Sequence, residues 1–396
     1  MEKMNGYLSE RRRLIGWSLL ALVAVGWLML YKLGSLTGGL SAGELAAAKV
    51  PVGWHGIYHQ PLDLPLKLVR SVVFALSPGH GQTLTRVPNA IFGSLAIASF
   101  AWLVWLWHGT RTAVLAGLLF ATGAWTLHAS RLASFDVLYL WAMPTLLLIH
   151  VLLGKYGQRA LIWYGSLLVW GAMLYVPGLV WLVGLEAWLQ RAALADGWQH
   201  FASWWQRLLY VLAGLIWLPL LILGLTRPGN LVSWLGLPPH FASPVHLLKQ
   251  FAAVPVHLFI RGPQYPDIWL GRAPVLDIFT LTAGLAGIYF YASRPKASRS
   301  RLLGLFALIG FILVGLGGPV GLSLLVPLLY AMAATGITYL LHEWLQVFPN
   351  NPLARGLGLG LVALAVGLSC VYSLRAYFVA WPHSPETRIV FQDRRH

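Results

Sequence analysis

From Val87 to Trp107 the chain runs without a single charged side chain. At about 1.5 Å per helical residue such a run is about 30 Å long, the thickness of a bilayer's hydrocarbon core. A segment of this kind must hide its backbone polar groups in a helix, because lipid offers them no partner. Comparable apolar runs lie at about 14–33, 112–127, 137–154, 160–176, 177–190, 208–225, 276–292, 302–316, 320–341 and 357–378, so about eleven membrane helices are expected. Soluble domains carry charge at about a quarter of positions. Here 10% of residues are charged and 58% hydrophobic, with a mean hydropathy of +0.68. The expected fold class is an all-α integral membrane bundle, one domain spanning residues 1–396.

Charge then sets the expected orientation. Lys and Arg number 28 against 12 Asp and Glu, a net +16. No soluble basic domain exists to carry this excess to a nucleic acid, so it reads as a topology signal and an attraction to lipid headgroups and lipid phosphates. Arg11, Arg12 and Arg13 precede the first run, and Arg111, Lys155, Arg159, Arg191, Arg207, Arg294, Lys296, Arg299 and Arg301 fall in alternate connections. These are assigned to the cytoplasm together with the amino terminus. The long connections at about 34–86 and 226–275 then lie outside.

Those outer loops carry helical signals of their own. Ser41-Ala42-Gly43-Glu44 followed by Leu45-Ala46-Ala47-Ala48 fits a capping box that opens a short helix. A second helix is expected from about Leu64 to Leu76, with Leu66, Val69, Val73 and Leu76 as an apolar stripe and Lys67 and Arg70 on another face. It has the look of a surface-lying amphipathic helix whose cations meet headgroups. Asp63 is placed to cap it. A similar piece starts at Ser243-Pro244 and carries Lys249. Trp102, Trp105, Trp107 and Trp125 read as interface aromatics, and Glu186 as a carboxylate snorkelling from an inner helix end.

No phosphate-cradling glycine loop, dinucleotide fingerprint, HExxH or GxSxG motif occurs. One cysteine, Cys370, excludes an intrachain disulfide. His55, His59, His80 and His128 share the expected outer side, but their spacing matches no metal motif, so no metal site is assigned and no cofactor is certain. Carboxylates are scarce. On this topology the outer side holds only Glu44, Asp63, Asp136, Asp267, Asp277, Glu386 and Asp393.

Several motifs, in order, carry a resemblance. They are Gly43-Glu44 after the first span, His59-Gln60-Pro61-Leu62, Thr85-Arg86-Val87-Pro88 with Gly93, Ser130-Arg131 with Asp136, and Gly271-Arg272-Ala273-Pro274 with Asp277. The set resembles the GT-C superfamily of glycosyltransferases that use lipid-phosphate sugars. It is most similar to the branch of protein O-mannosyltransferases, aminoarabinose-lipid transferases and bacterial family 39-like relatives. The likeness covers residues 35–155 well and 260–345 loosely. Where those families usually have Asp-Glu, this chain has Gly43-Glu44.

The resemblance implies a membrane glycosyltransferase. It moves a hexosyl or pentosyl unit from a polyprenyl-phosphate donor to a glycan, lipid or protein acceptor at the outer face of a bacterial plasma membrane. Such a reaction needs a carboxylate to take the acceptor's proton, for which Asp136 and Glu44 are the candidates. It also needs cations around the departing phosphate, for which Arg86, Arg131, Lys67, Arg70 and Arg272 are the candidates, with His59 nearby. Two rivals stay open on the residues alone: a transporter or lipid flippase, and a catalytically inactive scaffold subunit of the same fold.

Overall fold

The computed structural model describes residue 16 and residues 20–48, 60–77, 81–200 and 228–391, with scattered positions between 203 and 222. The expected span at 208–225 lies mostly outside the described residues, as does His59. Among the described residues every regular element is helical.

Among the described residues, five helices are long and apolar enough to cross a membrane: α4 (Gln82–His108), α7 (Asp136–Tyr156), α14 (Ser298–Gly315), the run Leu322–Val347 that contains α15 (Val326–Val347), and Pro352–His383, which begins as α16 (Pro352–Arg375). Shorter apolar helices accompany them: α1 (Leu20–Leu30), α8 (Ala160–Met173), α9 (Leu179–Leu189) and α13 (Ile278–Ala292). The protein is a multi-pass membrane protein. Outward-facing leucines such as Leu357, Leu361, Leu364 and Leu368 on α16 are exposed, as a lipid-facing surface requires.

The run expected at 112–127 forms two helices, α5 (Thr110–Thr122) and α6 (Ala124–Arg131), bent by 61°. The break falls at Gly123, where any Cβ would stand 2.3 Å from the Tyr330 hydroxyl, so only glycine lets α15 press so close. A second close approach joins α6 to α4: a Cβ on Gly93 would lie 2.3 Å from that of Ser130. Together these contacts swing α6 across the end of the bundle and bring Arg131 beside the first turns of α4, which carry Arg86.

The runs expected at 160–176 and 177–190 form the two helices α8 and α9, separated by a turn at Gly178, whose φ of 77° is a left-handed conformation suited to glycine. On α9, Glu186 is fully buried and pairs with His150 at 3.0 Å instead of snorkelling. The imidazole on α7 offers a nearer partner than the interface does. Trp125 is buried too, donating to Ser323 Oγ at 2.9 Å, whereas Trp102 and Trp105 are exposed as interface aromatics are.

The first long connection folds as expected in outline. The short helix α2 (Ala42–Ala48) opens with a reciprocal capping box: Glu44 N donates to Ser41 Oγ and Ser41 N to Glu44 Oε2, both at 3.2 Å. Helix α3 (Leu64–Leu76) has the expected bounds, but the face bearing the two cations is turned inward. Lys67 and Arg70 are buried with Leu66, while Leu68, Val72 and Leu76 are exposed. In a membrane bundle the outside is lipid, so the apolar side faces out and the cations face in. Beyond α10 (Arg191–His200) and α11 (Pro228–Trp234), α12 (Pro244–Phe259) starts at Ser243 as the sequence suggests, with Lys249 exposed.

Candidate functional site

The candidate residues gather at the end of the bundle that bears residues 34–86. They differ in whether their polar atoms are already spent. Arg86, 2% exposed, is spent in full. Nε donates to Glu44 Oε1 at 2.8 Å and Nη2 to Oε2 at 2.7 Å, a bidentate pair. Nη1 donates to the Leu33 carbonyl, and Nη2 also reaches Thr37 Oγ1 and the Gly39 carbonyl. Glu44 is equally engaged, for Oε1 accepts from Ala133 N at 2.9 Å and Oε2 from Ser41 N. The pair ties the first loop, α4 and the turn after α6 into one clasp. Both carboxylate oxygens are taken up by these four donors, so the surroundings differ from those expected of a base.

Arg131 is likewise consumed. Its guanidinium donates to the carbonyls of Leu28 and Tyr31 and to the Tyr377 hydroxyl, and it lies over the rings of Tyr377 and Phe378. It closes the end of α1, whose last carbonyls have no helical partner. Arg272 is exposed on the second long connection.

Lys67 and Arg70 stand apart. Lys67 is 4% exposed and gives one hydrogen bond, to the Gln60 carbonyl at 2.6 Å. Arg70 is 1% exposed and donates through Nη1 to the Ala47 carbonyl. Its Nε and Nη2 are buried without a hydrogen-bond partner among the described residues. Burial pulls the pKa of both groups down, and for Lys67 the neighbouring Asp63 opposes this while Arg70 adds to it. Two adjacent buried cations with unused N–H groups are costly in a folded chain unless an anion meets them.

Asp63 precedes α3 in a left-handed conformation, φ 60° and ψ 27°, unusual for a residue with a Cβ. Its backbone N–H donates to the Tyr175 carbonyl at 2.7 Å, but its side chain makes no capping bond, contrary to expectation. Burial raises its carboxyl to about 7; Lys67 opposes the rise and Asp136 adds to it. Asp136, the first residue of α7, is half-buried, makes no hydrogen bond among the described residues, and lies within electrostatic range of Asp267. It shares a narrow cleft with Trp125, His128, Ser134, Ile268 and Ser323. His128 is enclosed by the rings of Trp269, Tyr377 and Trp381, and its Nδ1 has no partner among the described residues. Asp277, by contrast, is a spent cap: it accepts from Thr280 and from Ser369 Oγ at 2.7 Å, pinning α13 to α16.

The structure therefore divides the sequence candidates into a clasp (Glu44, Arg86), a helix-end plug (Arg131) and an unspent set (Lys67, Arg70, Asp136). The structure adds Asp63, expected only as a cap, and Asp267 and His128, to which sequence spacing assigns no role. The signal for Asp63 was weak but real, a carboxylate in a short list beside a proline-opened helix.

No family model matches this chain, and no curated protein matches it in sequence. Solved structures do. The apo crystal structure of ArnT from Cupriavidus metallidurans is similar over 96% of this chain and 77% of its own, at 15% identity and a TM-score of 0.50. The apo oligosaccharyltransferase of Archaeoglobus fulgidus is similar over 91% of this chain at 17% identity and a TM-score of 0.52. The oligosaccharyltransferase AglB from the same organism, solved with an inhibitory peptide and a dolichol-phosphate, gives 15% identity and a TM-score of 0.53. This chain spans 56% of either oligosaccharyltransferase chain. The fold is the GT-C fold that the sequence motifs implied.

Proposed function

We propose that this GT-C-fold membrane protein transfers a sugar from a polyprenyl-phosphate donor to an acceptor at the outer face of the plasma membrane. The observation that carries the reading is the buried pair Lys67 and Arg70, with N–H groups unspent, near Asp63 and Asp136, whose side chains make no hydrogen bond among the described residues. Departure of a phosphate needs charge-assisted donors that strengthen as the leaving oxygen gains charge. Transfer to a hydroxyl or similar group needs a carboxylate close by. Asp136 fits that part better than Glu44, whose oxygens already hold four donors. The dolichol-phosphate in the AglB complex supports a lipid phosphate as the donor's anchor.

A transporter gathers its unpaired ionisable groups near the bilayer midplane. Here the unspent ones collect at one end, which favours chemistry on a substrate reached from the membrane surface. The test is donor binding to the purified protein in lipid nanodiscs, using a radiolabelled polyprenyl-phosphate sugar. Lys67→Met and Arg70→Gln should each weaken binding by roughly tenfold or more, since a charge-assisted hydrogen bond contributes about 1.5–3 kcal/mol. Affinity unchanged in both variants overturns the phosphate assignment.

A further inference from the structure

We propose that Asp267 is a further catalytic carboxylate of this chain, held from the second long connection in front of the bare backbone of Gly43 and acting with Asp136. The inference rests on the transferase reading above and names a residue for it.

Asp267 is held in place by its neighbours. The Pro266 carbonyl accepts from Trp381 Nε1 at 3.1 Å, and the N–H groups of Ile268 and Trp269 both return to the Tyr265 carbonyl. Trp269 packs on Trp125 and His128 and donates to the Ala273 carbonyl. The residue before Asp267 is thus tied to the carboxyl-terminal aromatic cluster, and the residue after it lines the Asp136 cleft. A carboxylate on such a turn is positioned as a functional group must be.

Its surroundings leave it free. Asp267 is half-buried and makes no hydrogen bond among the described residues. Gly43 is exposed, and a Cβ built there would meet Asp267 Oδ2 and Ser41 Oγ, each at 3.8 Å, an ordinary contact with nothing nearer. The first loop therefore leaves a gap at Gly43, and a carboxylate from another loop borders it. Asp136 lies within electrostatic range of Asp267. An independent sign that this space receives a ligand is His128. It is 3% exposed, it lines the cleft with Asp136 and Ile268, and its Nδ1 is unpartnered. Buried polar atoms are nearly always satisfied, so such a nitrogen waits for a group that arrives from outside.

The chemistry balances. The acceptor's heteroatom forms a bond to the sugar's anomeric carbon. The bond from that carbon to the phosphate oxygen breaks, and its electron pair leaves on the phosphate beside Lys67 and Arg70. The acceptor's proton passes to Asp136. The Asp267 carboxylate faces the reacting carbon and stabilises the positive charge that develops there as the phosphate leaves.

The test is a rescue between loops. Full-length protein in nanodiscs is assayed for transfer and for donor Kd with a polyprenyl-phosphate sugar that the wild type uses. Asp267→Asn and Asp267→Ser should lower kcat by about 10²-fold with donor Kd unchanged, which also reports an intact fold. Adding Gly43→Asp to either variant should restore at least tenfold of the loss, because the new carboxylate enters the same gap. A purely structural role for Asp267 predicts no such rescue. Variants within threefold of wild type, or a loss that Gly43→Asp does not restore, overturn the proposal while the transferase reading stands. A wild type that binds the donor yet transfers no sugar overturns both.

Discussion

Glu44→Gln is the most informative single change at the clasp. Each carboxylate oxygen of Glu44 accepts one bond from Arg86 and one from a backbone N–H: Oε1 from Arg86 Nε and Ala133 N, Oε2 from Arg86 Nη2 and Ser41 N. A glutamine amide must turn its NH2 toward one of these donor pairs, whichever way it rotates. The change therefore leaves two donors facing a third and removes the only acidic partner, among the described residues, of a guanidinium that is 2% exposed. Breaking one side of a buried ion pair costs about 3–5 kcal/mol, because the remaining charge is stranded. Unfolding in mixed micelles, followed by tryptophan fluorescence, should show a loss of that order. The double variant Glu44→Gln/Arg86→Met should be less destabilised than the sum of the singles, since it removes the stranded charge as well. A loss below about 1 kcal/mol, with transfer abolished, would refute the clasp and return Glu44 to the chemistry.

Three further outcomes follow from the site. Asp136→Asn should lower kcat by about 10²–10⁴-fold while leaving donor Kd and stability near wild type, as measured by single-turnover transfer. Asp63, with its carboxyl near 7, should be neutral at pH 5.5 and ionised at pH 8.5. The donor is a phosphodiester with one fixed charge, so its binding to Lys67 and Arg70 should weaken as pH rises through about 7, and Asp63→Asn should flatten that step. Because the folded pKa lies above the ordinary value of 3.8, the folded state binds this proton more tightly than the unfolded chain. Stability from this group is accordingly greatest at acid pH and falls as pH rises from about 4 toward 7. For topology, a cysteine at exposed Gln264 should react with an impermeant thiol reagent in intact cells and one at exposed Ser298 should not, against the low background of buried Cys370.

Local sequence rules placed elements well and judged their surroundings poorly. The capping box at Ser41 and Glu44 and the bounds of α3 depend on residues within one or two turns, and both were legible. Which face of α3 turns inward depends on what packs around it, so Lys67 and Arg70, expected among headgroups, are buried instead. Arg86 and Arg131 looked available because their partners are carbonyls and a carboxylate tens of residues away, and backbone acceptors leave no trace in composition. Asp267 was legible only as a member of a short list of acids. Its nearness to Gly43 and Asp136 is set by two tryptophans, Trp269 and Trp381, whose pairing no spacing rule foretells.

The two saturated arginines have a consequence for how the chain is made. The carbonyls of Leu28, Tyr31 and Leu33 are served by guanidiniums that occur 53 to 103 residues later. At about 5–20 residues per second, the ribosome delivers Arg131 roughly 5–20 s after Tyr31. Through that interval the leading segment must rest where water or lipid headgroups can hold its exposed carbonyls, at the membrane surface or against the insertion machinery. It settles to its final depth only when α4 and α6 have entered beside it. Although α1 precedes α4 and α6 in the chain, it is completed only after them.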